Sequence, residues 1–227
     1  MKISLVSDQI SELQTDCVLV GLFENDMENN ECFKHLDLKF DSTFSDLMCD
    51  GEITGKSDSL TLVHSLNKIT PKRILICGLG KKDLLTTGKL RDFLSAAFRR
   101  ARGSSSSSCS VIINSFTTKS INVKETISIA SESFNSGLYK YELYKSSKNE
   151  SNIDELMIAI DNNDFSKNSE SLSKYIAYGE SIGQSVNLAR DLSNGPPNHM
   201  TPTHLSEVAI ETLRGTTINV EVMDSEN

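Results

Sequence analysis

The chain has 227 residues, 37% of them hydrophobic and 24% charged, with no tryptophan and a formal net charge of -8. That length holds a real core and one large domain or one domain plus part of another. The acidic balance argues against a general nucleic-acid binder, and no run approaches the roughly 20 apolar residues that span a bilayer.

The charge is uneven. Residues 1–68 carry 5 Lys/Arg against 13 Asp/Glu, and residues 69–110 carry 9 against 2. The basic middle block reads as a solvated helix face with internal pairing, or as a face for an acidic partner. Cys17, Cys32, Cys49, Cys77 and Cys109 are odd in number and lack CxxC spacing. They read as reduced thiols of an intracellular protein.

Ile3–Val6 and Cys17–Phe23 are apolar runs of strand length. Residues 24–50 are acidic and irregular, with weak helical character around Phe44–Met48. Leu60–His64 alternates, so it reads as a strand with one wet face. Arg73–Gly78 is continuously apolar, the pattern of a strand buried on both sides. Leu90, Phe93, Leu94, Ala97, Phe98 and Ala101 form one apolar helical stripe, with Thr87 as its expected N-cap and Gly103 at its stop. Ser104–Ser108 is a low-complexity connection. A strand at Cys109–Ile113, a helix over Lys124–Leu138 and a strand at Glu155–Ile160 follow.

Residues 161–170 read as a polar linker. A helix is expected over Ser171–Leu192, ended by Gly195-Pro196-Pro197. Thr201-Pro202 starts another helix that runs to Leu213 and closes at Gly215, and Ile218–Met223 alternates like a strand. Alternating strands and helices predict an α/β sheet covered on both faces.

Few motifs carry chemistry. Gly78-Leu79-Gly80 sits between strand and helix as a phosphate loop would, but Asp83 replaces the third glycine, so a structural turn is the preferred reading. His199, His204 and Glu207 are not HExxH, and Pro202 interrupts the helix that would bring the histidines together. His35 and His64 are isolated. No GxSxG elbow exists, and Cys77 lies in an apolar run that would make it inert. Arg190 and Asp191, with Asn187, Asn194, Pro196 and Pro197, read as a rigid interdomain elbow: arginine ties down several acceptors and two prolines fix the chain direction.

Asn187–His204 (NLARDLSNGPPNHMTPTH) resembles the stretch that opens the catalytic half of the leucyl aminopeptidase family. Gly51–Lys56 with the Leu60–His64 strand, Arg73–Asp83 with the helix after it, and Gly137–Lys145 are similar to earlier family segments, in the same order. The resemblance implies a macro-domain-like, three-layer α/β domain over 1–160, a linker over 161–170, and over 171–227 an interdomain helix with the truncated start of a second α/β domain. The family is cytoplasmic and commonly hexameric. Its catalytic domain holds two divalent metals (zinc, manganese or magnesium) through lysine, aspartate and glutamate. These metals bind the substrate's amino terminus, activate a water and polarise the scissile carbonyl of peptides, preferentially after leucine.

The family's glycine-rich lysine motif and its Asn-Thr-Asp-Ala-Glu-Gly-Arg motif have no counterpart here. No catalytic, cofactor-binding or metal-binding residue is therefore carried over, and the chain alone is expected to be inactive, serving assembly or regulation. The alternative is a stand-alone macro-like module for a nucleotide-type ligand or DNA.

Overall fold

The computed structural model describes residues 1–24, 26, 29–143 and 152–223, with the side chains of 163, 164 and 167 excepted. Contacts divide the chain into two compact units, Met1–Gln184 and Ser185–Asn227.

The first unit is built on six strands: β1 (Lys2–Val6), β2 (Cys17–Leu22), β3 (Leu60–His64), β4 (Arg73–Gly78), β5 (Ser108–Ile112) and β6 (Glu155–Ala159). They lie in the order β1-β6-β5-β2-β4-β3. All neighbours pair parallel except β3, which closes one edge antiparallel to β4. The helices are α1 (Glu31–Lys39), α2 (Thr43–Cys49), α3 (Thr87–Gly103), α4 (Val123–Gly137) and α5 (Asn162–Asn194).

Period-two alternation makes the layers. From β2, Cys17 and Leu19 join Leu75 and Cys77 of β4 beneath α3 and α4. Val18, Val20 and Leu22 face the other way, with Ile74 and Ile76, onto Phe33, Leu36 and Phe44 of α1 and α2. The result is a three-layer α/β unit whose central strands are apolar on both sides, as the run at Arg73–Gly78 predicts.

Local chemistry fixes the helix starts. Asn30 caps α1 by accepting from Phe33 N–H, and Asn122 with Glu125 forms a reciprocal capping box on α4. The α3 stripe is buried in full, from Leu90 to Ala101. Its cap is Thr86, one residue before the expected Thr87, and Thr86 accepts from Lys89 N–H.

Two further expectations need correction here. Helix α1 occupies part of the acidic stretch that looked irregular, because Phe33 and Leu36, with Phe40 as its C-cap, supply enough inward surface. The linker expected over 161–170 is instead the first turns of α5, a 33-residue helix. Phe165 packs on the core there, and Ser166 and Ser171 satisfy themselves on helix carbonyls, so a polar sequence stays helical.

The second unit holds the end of α5, a turn and α6 (Pro202–Leu213), which has Thr201 as N-cap and Pro202 in its first turn as expected. Residues 218–223 form no strand. Alternation supplies a face, but a ladder needs a neighbour, and no described residue of this unit is a strand.

Candidate functional site

In a parallel sheet the crevice for a ligand opens where the chain leaves adjacent strands toward opposite faces. One such point lies between β2 and β5. The chain leaves β2 for α1 on one face and leaves β5 for α4 on the other.

The two strand ends are locked together. Gly21 N–H donates to Ser115 Oγ at 2.8 Å, and Ser115 Oγ donates to the Ile112 carbonyl at 2.6 Å. A Cβ at Gly21 would lie 2.5 Å from the Ser115 carbonyl oxygen, so only glycine allows this approach. Asn30, while capping α1, donates from Nδ2 to the Gly21 carbonyl at 2.9 Å.

A cleft with two adjoining lobes opens above these ends. The larger, about 300 Å³, lies above β1, β5 and β6 and takes Asp8, Glu31, His35, Asn114 and Asp161 in its lining. The smaller, about 250 Å³, shares Glu31, Cys32, Asn114 and Asp161 and reaches Asp26 and Lys82. Buried Ile10, Ile112 and Ala159 line the larger lobe, whereas the residues carrying the three carboxylates are exposed.

The charges form a pattern. Lys82 Nζ donates to Asp26 Oδ2 at 2.9 Å and lies over the Phe23 ring. That hydrogen bond, helped by Asn29 and against some burial, lowers the Asp26 carboxyl. Burial pushes the Cys32 thiol up to about 11, and the charges of Asp161 and Glu31 add to the rise. Cys32 is therefore a protonated thiol in a negative field rather than a nucleophile.

Two polar atoms of the larger lobe are shut off from solvent without a hydrogen-bond partner: His35 Nε2 and Asn114 Oδ1. Asn114 Nδ2 donates to Asp161 Oδ2.

The sequence-level candidates lie elsewhere. The glycines of Gly78-Leu79-Gly80 serve packing. The N–H groups of Gly78, Leu79 and Gly80 donate to the carbonyls of Ser59, Leu22 and Gly55, and a Cβ at Gly78 would sit 2.1 Å from the Lys56 carbonyl oxygen. No donor in that loop is left for a phosphate. Cys77 is buried, which drives its thiol far above the ordinary range. His204 Nδ1 approaches Glu207 at 3.9 Å on an exposed helix start. Among the described residues no three His, Cys, Asp or Glu side chains gather as a metal-holding group.

Asn187, Arg190, Asp191 and Asn194 occupy the last turns of α5. Gly195 N–H donates to the Asp191 carbonyl, and the Pro196 carbonyl accepts from His199 and Met200 N–H. The prolines thus sit in a hydrogen-bonded turn. None of the cleft residues carries a motif. Asp8, Glu31, Asn114 and Asp161 are far apart in sequence, and only the strand order brings them together. His35 read as isolated for the same reason.

Comparison with known proteins adds a family. The family model described as the N-terminal domain of the cytosol aminopeptidase family matches residues 19–148. A solved structure of a tomato leucine aminopeptidase mutant aligns with a TM-score of 0.77 at 23% identity, over 94% of this chain and 42% of that one. The bottromycin maturation enzyme BotP aligns with a TM-score of 0.65 at 18% identity, over 87% and 37%. A structure of BotP in complex with Mn gives 0.63 at 18%, over 87% and 36%. At these identities the likeness to the solved structures is one of fold, and the chain spans less than half the length of each.

Proposed function

Because this chain belongs to the cytosol aminopeptidase family, we propose that it supplies the N-terminal portion of a cytoplasmic, metal-dependent leucyl aminopeptidase. Such an enzyme releases N-terminal amino acids, leucine preferentially, from peptides. The observation that carries this reading is the family match over residues 19–148, joined to a fold shared with tomato leucine aminopeptidase over 94% of this chain.

In this reading the 227 residues serve assembly and regulation, and peptide hydrolysis belongs to a further catalytic portion. The described residues do not fit the two-metal centre the family implies, since no metal-holding group forms among them. No catalytic step is therefore assigned to this chain. The full enzyme is expected to hold two divalent ions, zinc, manganese or magnesium, and to assemble as a homo-hexamer. Asn187, Arg190, Asp191, Asn194, Pro196 and Pro197 serve as the elbow between the portions. Exposed Leu205, Ile210 and Ile218 suit burial against a partner portion of that kind.

The test is immunoprecipitation from source cells with an antibody to residues 1–160. The expected product is well above 25.0 kDa and releases leucine from a leucyl peptide in a chelator-sensitive way. A product of 25.0 kDa without release would overturn the proposal. The isolated 227 residues, given manganese or zinc, are expected to release none.

A further inference from the structure

We propose that the open edge of β3 pairs with the same edge of a second copy of this chain, antiparallel about a two-fold axis. The proposal goes beyond the aminopeptidase reading and does not rest on it.

Strand β3 ends the sheet, so only one of its sides is paired. Gly78 N–H donates to the Ser59 carbonyl, and Ser65 N–H to the Lys72 carbonyl. With Leu62 opposite Leu75, the odd-numbered residues of β3 therefore bond to β4, and Leu60, Leu62 and His64 aim their N–H and C=O groups outward. Among the described residues no hydrogen bond reaches those outward groups. The strand reads Leu-Thr-Leu-Val-His, with no lysine, arginine or carboxylate to guard its edge. The opposite edge of the sheet, β1, starts with Lys2, which pairs with Glu155.

The turn after β3 is a second observation. Lys68 N–H donates to the Ser65 carbonyl across Leu66 and Asn67, whose φ angles are 50° and 63°. Asparagine suits that left-handed backbone and leucine does not, yet Leu66 stands there 79% exposed. Lys68 fixes the tip by its contacts with Asp41 and the Phe40 ring. A costly backbone that presents an apolar side chain beside an open edge marks that edge for contact.

Symmetry and charge select the occupant. With Leu62 opposite Leu62 of the second copy, Leu60 falls opposite His64 of that copy, and each pair exchanges two N–H···O bonds. Leu66 of each copy then lies just beyond the start of the other's β3. Glu52, Lys56 and Asp58 precede β3 and are exposed, with one negative charge in surplus. At the other end Lys68 and Lys72 are paired with Asp41 and Asp16, which leaves Arg73, opposite His64 in the ladder, as a positive surplus. An antiparallel pair sets each negative end against the positive end of the other copy, whereas a parallel pair would set like against like.

An interface of one strand pair is small, so the association is expected to be weak and concentration-dependent. The test is sedimentation and amide hydrogen exchange of the 227-residue protein over a concentration series. The expected mass rises from 25.0 kDa toward twice that value. Where the protein is mostly paired, exchange at Leu60, Leu62 and His64 should slow about tenfold or more, while Thr61 and Val63, already bonded to β4, should change little. His64→Pro removes one outward N–H at an exposed position and spares the β4 ladder. It is expected to stay single at concentrations where wild type and His64→Ala associate. A wild-type mass of 25.0 kDa throughout the series would overturn the proposal. So would association without slowing of the three amides, which would put the contact elsewhere, such as on exposed Leu205 and Ile210. Slowing seen only after adding an unrelated extended apolar peptide would give the edge to another partner and equally overturn it. The wild-type measurements decide even if His64→Pro fails to fold.

Discussion

Arg91 Nε donates to Glu132 Oε1 at 2.7 Å, joining α3 to α4 by an ion pair whose two ends differ in exposure. The Glu132 side chain is 8% exposed and that of Arg91 is 40%. Removing the arginine strands a buried carboxylate, which is worse than losing both partners. Arg91→Ala is expected to destabilise by about 2 kcal/mol, and the double change with Glu132→Gln by less. Urea unfolding of Arg91→Ala, Glu132→Gln and the double variant checks the order. Additive losses would mean the pair is not coupled.

Asp16 links the start of β2 to the loops beside it. Burial alone would raise its carboxyl, but Lys72 and the Ser107 N–H and hydroxyl together hold it down at about 2. A carboxylate lowered on folding stabilises above its unfolded value, here 3.8, and loses that stabilisation as pH falls toward the folded one. Lys72 is largely exposed, which screens the pair. Asp16→Asn is therefore expected to cost about 1 kcal/mol at pH 6, shrinking toward zero between pH 4 and about 2. A cost that stays constant over that window would contradict the assignment.

Helix α5 lies close enough to α4 that glycine is required along the seam. A Cβ at Gly179 would stand 2.2 Å from the Ser128 carbonyl oxygen, and one at Gly183 would stand 2.7 Å from the Asn135 Cβ. Normally Gly→Ala within a helix stabilises by about 1 kcal/mol. Gly179→Ala is expected to do the reverse, costing roughly 2 kcal/mol as backbone is forced apart. Gly103→Ala, at the end of α3 with open space around it, is the control. Thermal melts of the two should move in opposite directions.

The thiols should separate by depth. Cys49 is exposed, Cys32 half-buried, and Cys17, Cys77 and Cys109 buried. Iodoacetamide labelling read by mass spectrometry is expected to mark Cys49 first. Cys32 should follow about a hundredfold more slowly, matching its rise from 9.0 to about 11, and the other three should react only on unfolding. Early labelling of Cys32 would mean the cleft does not hold the thiol protonated.

The sheet was legible wherever burial writes itself into local pattern. Arg73–Gly78 and the Leu90–Ala101 stripe need nothing beyond their own neighbours to be read. Helix α1 was not, because two buried apolar side chains within nine residues give a weak period. Ile218–Met223 misled in the other direction, since alternation cannot say whether a partner strand exists. The cleft was invisible for a deeper reason. Asn114 and Asp161 lie 47 residues apart, and only the placement of β5 beside β6 makes them touch. Asn187–His204 carried the family resemblance without lying in the cleft at all.

Among the described residues strand β1 pairs only with β6, Lys2 opposite Glu155 and Val6 opposite Ala159. During synthesis Lys2–Val6 thus have no ladder until β6, the last of the six described strands in chain order, has followed them. At about 5–20 residues per second the wait is on the order of ten to thirty seconds. During that time the apolar segment Ile3–Val6 is available to chaperones and to other nascent chains. In chain order the sheet is completed from its β3–β4 edge across to β1, and the first strand is the last to be seated.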